Sequence, residues 1–124
     1  MPQILVVDDD QVLRGALRLV LEAAGYDVIE AADGDAALRA FGEHGADLVL
    51  LDIVLPERDG LEVIRALRAA IPPPKIVAMS GGGRIGYVEV LRAAAAFGAA
   101  RTLRKPFEAR ELLAAIRELL DRGP

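Results

Sequence analysis

Residues 48–60 read Leu48-Val49-Leu50-Leu51-Asp52-Ile53-Val54-Leu55-Pro56-Glu57-Arg58-Asp59-Gly60: four apolar residues in a row, an acid, then a turn. A short run that is apolar on both faces suits a central strand of a parallel sheet, which is covered by helices on both sides. An acid directly after such a run stands at the carboxyl edge of the sheet, where open α/β folds hold their ligands. Ile4-Leu5-Val6-Val7 followed by Asp8-Asp9-Asp10 has the same form, so the two runs should lie side by side. Working outward, Gln3–Val7, Tyr26–Ala31, Ala46–Leu51, Pro74–Met79 and Ala100–Arg104 read as five strands. Between and after them apolar residues fall at helical spacing, most clearly Leu13, Leu17, Val20 and Leu21, and later Leu112, Leu113, Ile116, Leu119 and Leu120. Asp10 and Asp33 suit helix N-caps, and Gly25 suits a C-terminal cap. Pro72-Pro73-Pro74 marks a stiff turn into the fourth strand. Strand and helix alternating five times requires crossover connections. The expected fold is therefore α/β, a doubly wound five-stranded parallel sheet in three layers, built as one domain over residues 1–124.

Composition narrows the function. A chain of 124 residues, 53% hydrophobic, carries material for one core. A net charge of −4, with arginines scattered among acids, offers no basic stripe for direct nucleic-acid binding. The absence of cysteine removes disulfides, thiolate metal sites and cysteine nucleophiles, and is compatible with the cytosol. No apolar run approaches membrane-spanning length, and Ile4–Val7 is too short for a signal segment, so a cytoplasmic location with no membrane association is expected.

The polar residues at the strand ends carry the chemistry. The first strand ends in Asp8-Asp9-Asp10, the third in Asp52, the fourth in Ser80 and the fifth in Lys105-Pro106. Carboxylates converging at one edge repel one another unless a cation compensates, and hard oxygen ligands favour Mg²⁺ over zinc or copper. The Ser80 hydroxyl and Lys105 ammonium facing the same point suit a phosphoryl group. Each residue also has a plainer reading. Asp10 is best taken as a helix cap, Asp52 alone could be a turn residue before Pro56, and Ser80 could merely open the Gly81-Gly82-Gly83 loop. Lys105 gains weight because the only other lysine is Lys75, against thirteen arginines. His44, the sole histidine, sits near a helix end and is assigned no function. The glycine run lacks the G-x-x-x-x-G-K-[ST] pattern and is not read as a nucleotide loop.

Taken together, ILVVDDD, LVLLDIVLPERDG, VAMSG and TLRKPF resemble the successive signatures of the response regulator receiver domain, of the CheY-like superfamily, over almost the whole chain. The resemblance implies the strand order 2-1-3-4-5. It implies phosphoryl acceptance on Asp52, as nucleophile, from a sensor histidine kinase or a histidine phosphotransfer protein. Asp9, Asp52 and the backbone carbonyl of Val54 would bind Mg²⁺ directly, with Asp8 acting through water and Mn²⁺ able to substitute. Lys105 and Ser80 would contact the phosphoryl oxygens, and Pro106 would follow a cis peptide. Beyond phosphotransfer to itself and its own dephosphorylation, no enzyme activity is implied. The switched surface would comprise the fourth helix, fifth strand and fifth helix, read by an output protein that the sequence does not identify.

Two features depart from the commonest receiver pattern. Thr102 stands where most relatives carry the tyrosine or phenylalanine that rotates on activation, and the loop Ser80–Gly86 is about three residues longer than usual. Motion of that loop, passed directly to the helix after it, is the expected substitute. The segment Tyr87–Phe97 is apolar over much of its circumference, so part of it should remain exposed as a partner strip. Among rival functions, an aspartyl-phosphate phosphatase of the haloacid dehalogenase type needs an acid two residues after the nucleophile, where this chain has Val54. A flavodoxin-like cofactor binder would place its phosphate against Asp8–Asp10, which would repel it. A third reading keeps the receiver but makes it one piece of a larger regulator with DNA-binding or enzymatic output.

Overall fold

In a computed structural model, residues 1–55, 59–81 and 87–121 are described. They form β1 (Gln3–Val7), α1 (Gln11–Ala23), β2 (Asp27–Ala31), α2 (Gly34–His44), β3 (Leu48–Asp52), α3 (Gly60–Arg68), β4 (Lys75–Ser80), α4 (Tyr87–Phe97), β5 (Arg101–Arg104) and α5 (Ala109–Asp121). All strand pairings are parallel, in the order β2-β1-β3-β4-β5, and β1 lies beside β3 with Val7 opposite Leu51.

Alternation along the strands sends side chains to two cores. Ile4, Val6, Leu48, Leu50, Val77 and Met79 pack under α1 and α5, against Leu17, Leu21, Leu112 and Ile116. Leu5, Val7, Val49, Leu51, Ile76 and Ala78 pack under α2, α3 and α4, against Ala37, Ile64, Leu67 and Ala94. The fold is the expected three-layer α/β sandwich. Leu48 to Leu51 are fully buried, and each contributes about 1.5–3 kcal/mol of burial energy, which fixes the strand that carries Asp52.

Asp10 and Asp33 cap α1 and α2, their carboxylates accepting from the Leu13 and Ala36 amides. Gly25, at φ +97°, follows α1, and paired bonds from the Gly25 amide to the Glu22 carbonyl and from the Tyr26 amide to the Leu21 carbonyl close the helix end.

The limits of four strands differ from the sequence reading. Tyr26 is used by that helix end, so β2 starts at Asp27. Asp47 precedes β3 because its carboxylate accepts from the Gln3 amide at 2.7 Å, and the strand continues through Asp52. Pro74 lacks an N–H, so β4 starts at Lys75, and it continues through Ser80. Ala100 lies outside β5, which starts at Arg101.

Candidate functional site

The strand register brings the carboxyl ends of β1, β3 and β5 to one place. Asp8 follows Val7, whose neighbour is Leu51, so Asp8 and Asp52 stand adjacent on parallel strands. Alternation puts Asp8, Asp52 and Lys105 on the α1/α5 side of the sheet, continuing the rows Ile4–Val6, Leu48–Leu50 and Leu103. The Lys105 side chain reaches across the sheet end to donate to Asp8 Oδ2 at 2.7 Å and Asp52 Oδ2 at 3.0 Å. Its path runs beside Gly81, where a Cβ would meet the lysine Cδ at 3.4 Å. The Lys105–Pro106 peptide is cis, as the resemblance implied.

The acids are unequally placed. Asp8 is fully buried, with Oδ1 accepting from the Asp10 amide and Oδ2 from Lys105. Asp52 is 6% exposed and also accepts from the Val54 amide at 3.0 Å. Burial pushes the Asp52 carboxyl above the ordinary range, partly offset by its bonds to Lys105 and Val54. Burial also opposes the Lys105 charge, but the Asp8 and Asp52 carboxylates outweigh it and hold the ammonium above its usual pKa. Asp9 is exposed, and no residue among those described pairs with its carboxylate. One oxygen from each of Asp8, Asp9 and Asp52 lies within 4.8 Å of the others. Among the described residues one ammonium stands against three carboxylates, in an all-oxygen cluster that is exposed at Asp9. That donor set fits a hard divalent cation.

Ser80 is 2% exposed and continues the Ile76–Ala78 row, so it sits on the α2/α3/α4 side of the sheet, and its carbonyl accepts from the Lys105 amide. Thr102 pairs with Ala78 and is half-buried on that same side. Val54 is exposed, and its amide is tied to Asp52. Pro56 and the glycine-rich loop at residues 82–86 lie outside the described residues. On α4, Ala94 is buried while Ala95, Ala96 and Phe97 are exposed, and the Arg65 guanidinium sits 5.8 Å from the Phe97 ring centre. His44 is exposed in the last turn of α2.

Two contacts escaped the sequence reading. Gly60 opens α3 against the backbone of Ile53, where a Cβ would fall 2.4 Å from the Ile53 carbonyl oxygen and 2.6 Å from its Cα. The Asp59-Gly60 pair is thus the anchor of the loop that follows Asp52, with Asp59 capping α3 through the Leu61 amide. The second is Arg14, whose Nη1 donates to the Asp8 carbonyl at 2.7 Å while its Nε is held by Glu30 at 2.8 Å. Asp59-Gly60 was visible as a turn signal; nothing in the sequence distinguished Arg14 from the other arginines.

Comparison with known proteins agrees with this fold. Residues 4–117 match the family model of the response regulator receiver domain, and the chain belongs to that family, whose members act in two-component signalling. It is 38% identical over 123 residues to the sensory transduction protein RegX3 of Mycobacterium tuberculosis, covering 99% of this chain and 52% of that one. It is 39% identical to the transcriptional regulatory protein CpxR of Escherichia coli, covering 99% and 51%. The chain therefore spans about half the length of the curated relatives it matches. Among solved structures it superimposes on a receiver domain protein of Methanospirillum hungatei with a TM-score of 0.90 at 30% identity, covering 98% of this chain and 95% of that one. A Clostridium thermocellum receiver domain gives 0.89 at 28%, covering 98% and 96%. Among the described residues no helix is long and apolar enough to cross a membrane.

Proposed function

We propose that this chain accepts a phosphoryl group on Asp52 in a Mg²⁺-dependent step and thereby works as the switch of a two-component pathway. The observation that carries the reading is the under-neutralised cluster of Asp8, Asp9 and Asp52 bridged by Lys105. Asp9, Asp52 and the Val54 carbonyl would hold the ion directly and Asp8 through water; once bound, Mg²⁺ supplies charge neutralisation for the transferring oxygens and for the crowded acids.

The remaining steps belong to the protein. An Asp52 carboxylate oxygen attacks the phosphorus of a phosphohistidine on a sensor histidine kinase or histidine phosphotransfer protein, and the P–N bond breaks as the acyl phosphate P–O bond forms. The histidine ring nitrogen leaves with the bonding electron pair. Lys105 already donates to Asp52 and stays within reach of a phosphoryl oxygen. Ser80, one strand over, supplies a hydroxyl for another, and water attacking the same phosphorus returns Asp52 to its starting state. A groove of about 430 Å³ between α1 and α5, lined by Leu13, Leu17, Phe107 and Leu112, opens beside Lys105 and offers the phosphodonor protein an apolar seat.

Ser80 and Thr102 lie on the α4 side, which supports α4, β5 and α5 as the responding surface, with the exposed Ala95, Ala96 and Phe97 open to an output partner. CpxR is a transcriptional regulatory protein about twice as long as the stretch it shares with this chain, which favours a transcriptional output carried on a longer polypeptide. Incubation with a small phosphodonor such as acetyl phosphate, with Mg²⁺ and then with chelator, tests the reading. Mass mapping is expected to place one base-labile phosphoryl group on Asp52 with Mg²⁺ only. Wild-type labelling of Asp52→Asn would overturn it.

A further inference from the structure

We propose that Arg14 and Glu30 form a positioning pair that sets how tightly the acidic cluster binds its divalent cation, an inference that rests on the reading above. The Arg14 side chain is only 14% exposed, and its guanidinium is split between two tasks. Nη1 donates to the main-chain carbonyl of Asp8, and Nε is held by Glu30 Oε1. The peptide so gripped is the one joining Asp8 to Asp9. The turn has two further ties: the Asp8 amide donates to the Ala31 carbonyl at 3.2 Å, and the Asp10 amide to Asp8 Oδ1 at 2.9 Å. Asp9 projects from this turn with no partner of its own among the described residues, so its carboxylate is aimed by main-chain restraints alone. Arg14 is the side chain from outside the turn that supplies one. A cation so near the acids would ordinarily compete with a metal ion. Glu30 cancels that charge, and its other oxygen is held by Arg18 at 2.8 Å, which keeps it facing Arg14. The pair orients the turn without adding net positive charge.

The test measures Mg²⁺ affinity of the full chain by calorimetry, alongside the Mg²⁺ dependence of acetyl phosphate labelling. Arg14→Ala is expected to weaken Mg²⁺ binding by roughly tenfold, the usual scale for losing a group that orients a metal ligand. The Mg²⁺ concentration for half-maximal labelling should rise equally, while the rate at saturating Mg²⁺ stays within about twofold of wild type, since Asp52 and Lys105 are untouched. Glu30→Gln should also weaken binding, more at low salt, because it leaves the Arg14 charge uncompensated. Arg14→Lys, whose single ammonium cannot serve both partners, should fall between and stands in if Arg14→Ala does not fold. Arg18→Ala leaves the Arg14 bonds to the Asp8 carbonyl and to Glu30 in place and frees only the second Glu30 oxygen, so its loss of Mg²⁺ affinity should be clearly smaller than that of Arg14→Ala. Wild-type affinity in the Arg14 and Glu30 variants, or an equal loss in Arg18→Ala, would overturn the proposal. A wild-type chain that binds no Mg²⁺ would instead overturn the reading of the site itself.

Discussion

Two carboxylate centres lie close to α1 and differ in nearly everything else. At the sheet edge, Asp8 and Asp52 share the ammonium of Lys105 while Asp9 has no partner among the described residues, and Asp52 is buried with its pKa pushed up by lost hydration. On β2, Glu30 faces two guanidinium groups, Arg18 and Arg14, and its pKa is pulled below the ordinary range, chiefly by the Arg18 hydrogen bond. One centre has too little positive charge and the other has its full complement. Charge that is structurally satisfied is spent on holding position, whereas charge left in deficit invites a ligand. Arg14 touches both centres, through Glu30 and through the Asp8 carbonyl.

The contrast between the centres breaks most sharply at Asp9. Asp9→Ala should cost the edge most of its Mg²⁺ affinity, more than the roughly tenfold expected for an orienting group, with little change in thermal stability because the side chain is exposed and unpartnered among the described residues. Calorimetric titration decides it, and equal affinity in the variant would remove Asp9 from the ligand set. A second, smaller effect lies in the pH dependence of the metal-free protein. The raised Asp52 pKa means the folded state holds this proton more readily than the unfolded chain. The stability it contributes is full below the unfolded pKa and is lost as pH rises through the folded one. Asp52→Asn should therefore stabilise the chelated protein at neutral pH by on the order of 1 kcal/mol. That gain should shrink as pH is lowered through the folded Asp52 pKa, and urea melts across pH read it. Added Mg²⁺ should reverse the order by stabilising wild type alone.

Glu30 should behave with the opposite sign. Its lowered pKa contributes stability above the unfolded value that is lost as pH falls through the folded one, so Glu30→Gln should be less stable at neutral pH and equal to wild type in acid. Partial exposure keeps this effect to about 0.2–1 kcal/mol. Away from both centres, Gly60→Ala probes the backbone that supports the edge, because the added methyl must displace Ile53 directly after Asp52. A loss of about 1–3 kcal/mol is expected by urea denaturation, as for other overpacked sites.

Much of this was legible because strand position and strand periodicity are both written in the sequence. Leu48–Leu51 and Ile4–Val7 read as central strands, and the acids after them then stand at the carboxyl edge, which with the family resemblance made Asp8, Asp9, Asp52 and Lys105 the candidates that the structure brings together. The exact strand limits were not legible, since Asp47 resembles a strand residue until its carboxylate is seen on the Gln3 amide. The Gly60–Ile53 contact and the grip of Arg14 on the Asp8 carbonyl were hidden for a related reason. Each joins a side-chain requirement at one position to a main-chain atom at another, and main-chain atoms carry no residue-type signature.

The alternation that splits the cores also behaves like an insulator between two circuits. Asp8, Asp52 and Lys105 are wired to the α1/α5 layer, Ser80 and Thr102 to the α4 layer, and between them lies a sheet whose interior rows are wholly aliphatic. A change in charge at Asp52 has no polar conductor through that sheet. A polar lead runs around the strand tips, where the Ser80 carbonyl meets the Lys105 amide and the Lys105 ammonium meets Asp52. The junction box of the molecule is therefore its rim, a few residues deep, and the rest of the sheet serves to keep the two sides from short-circuiting.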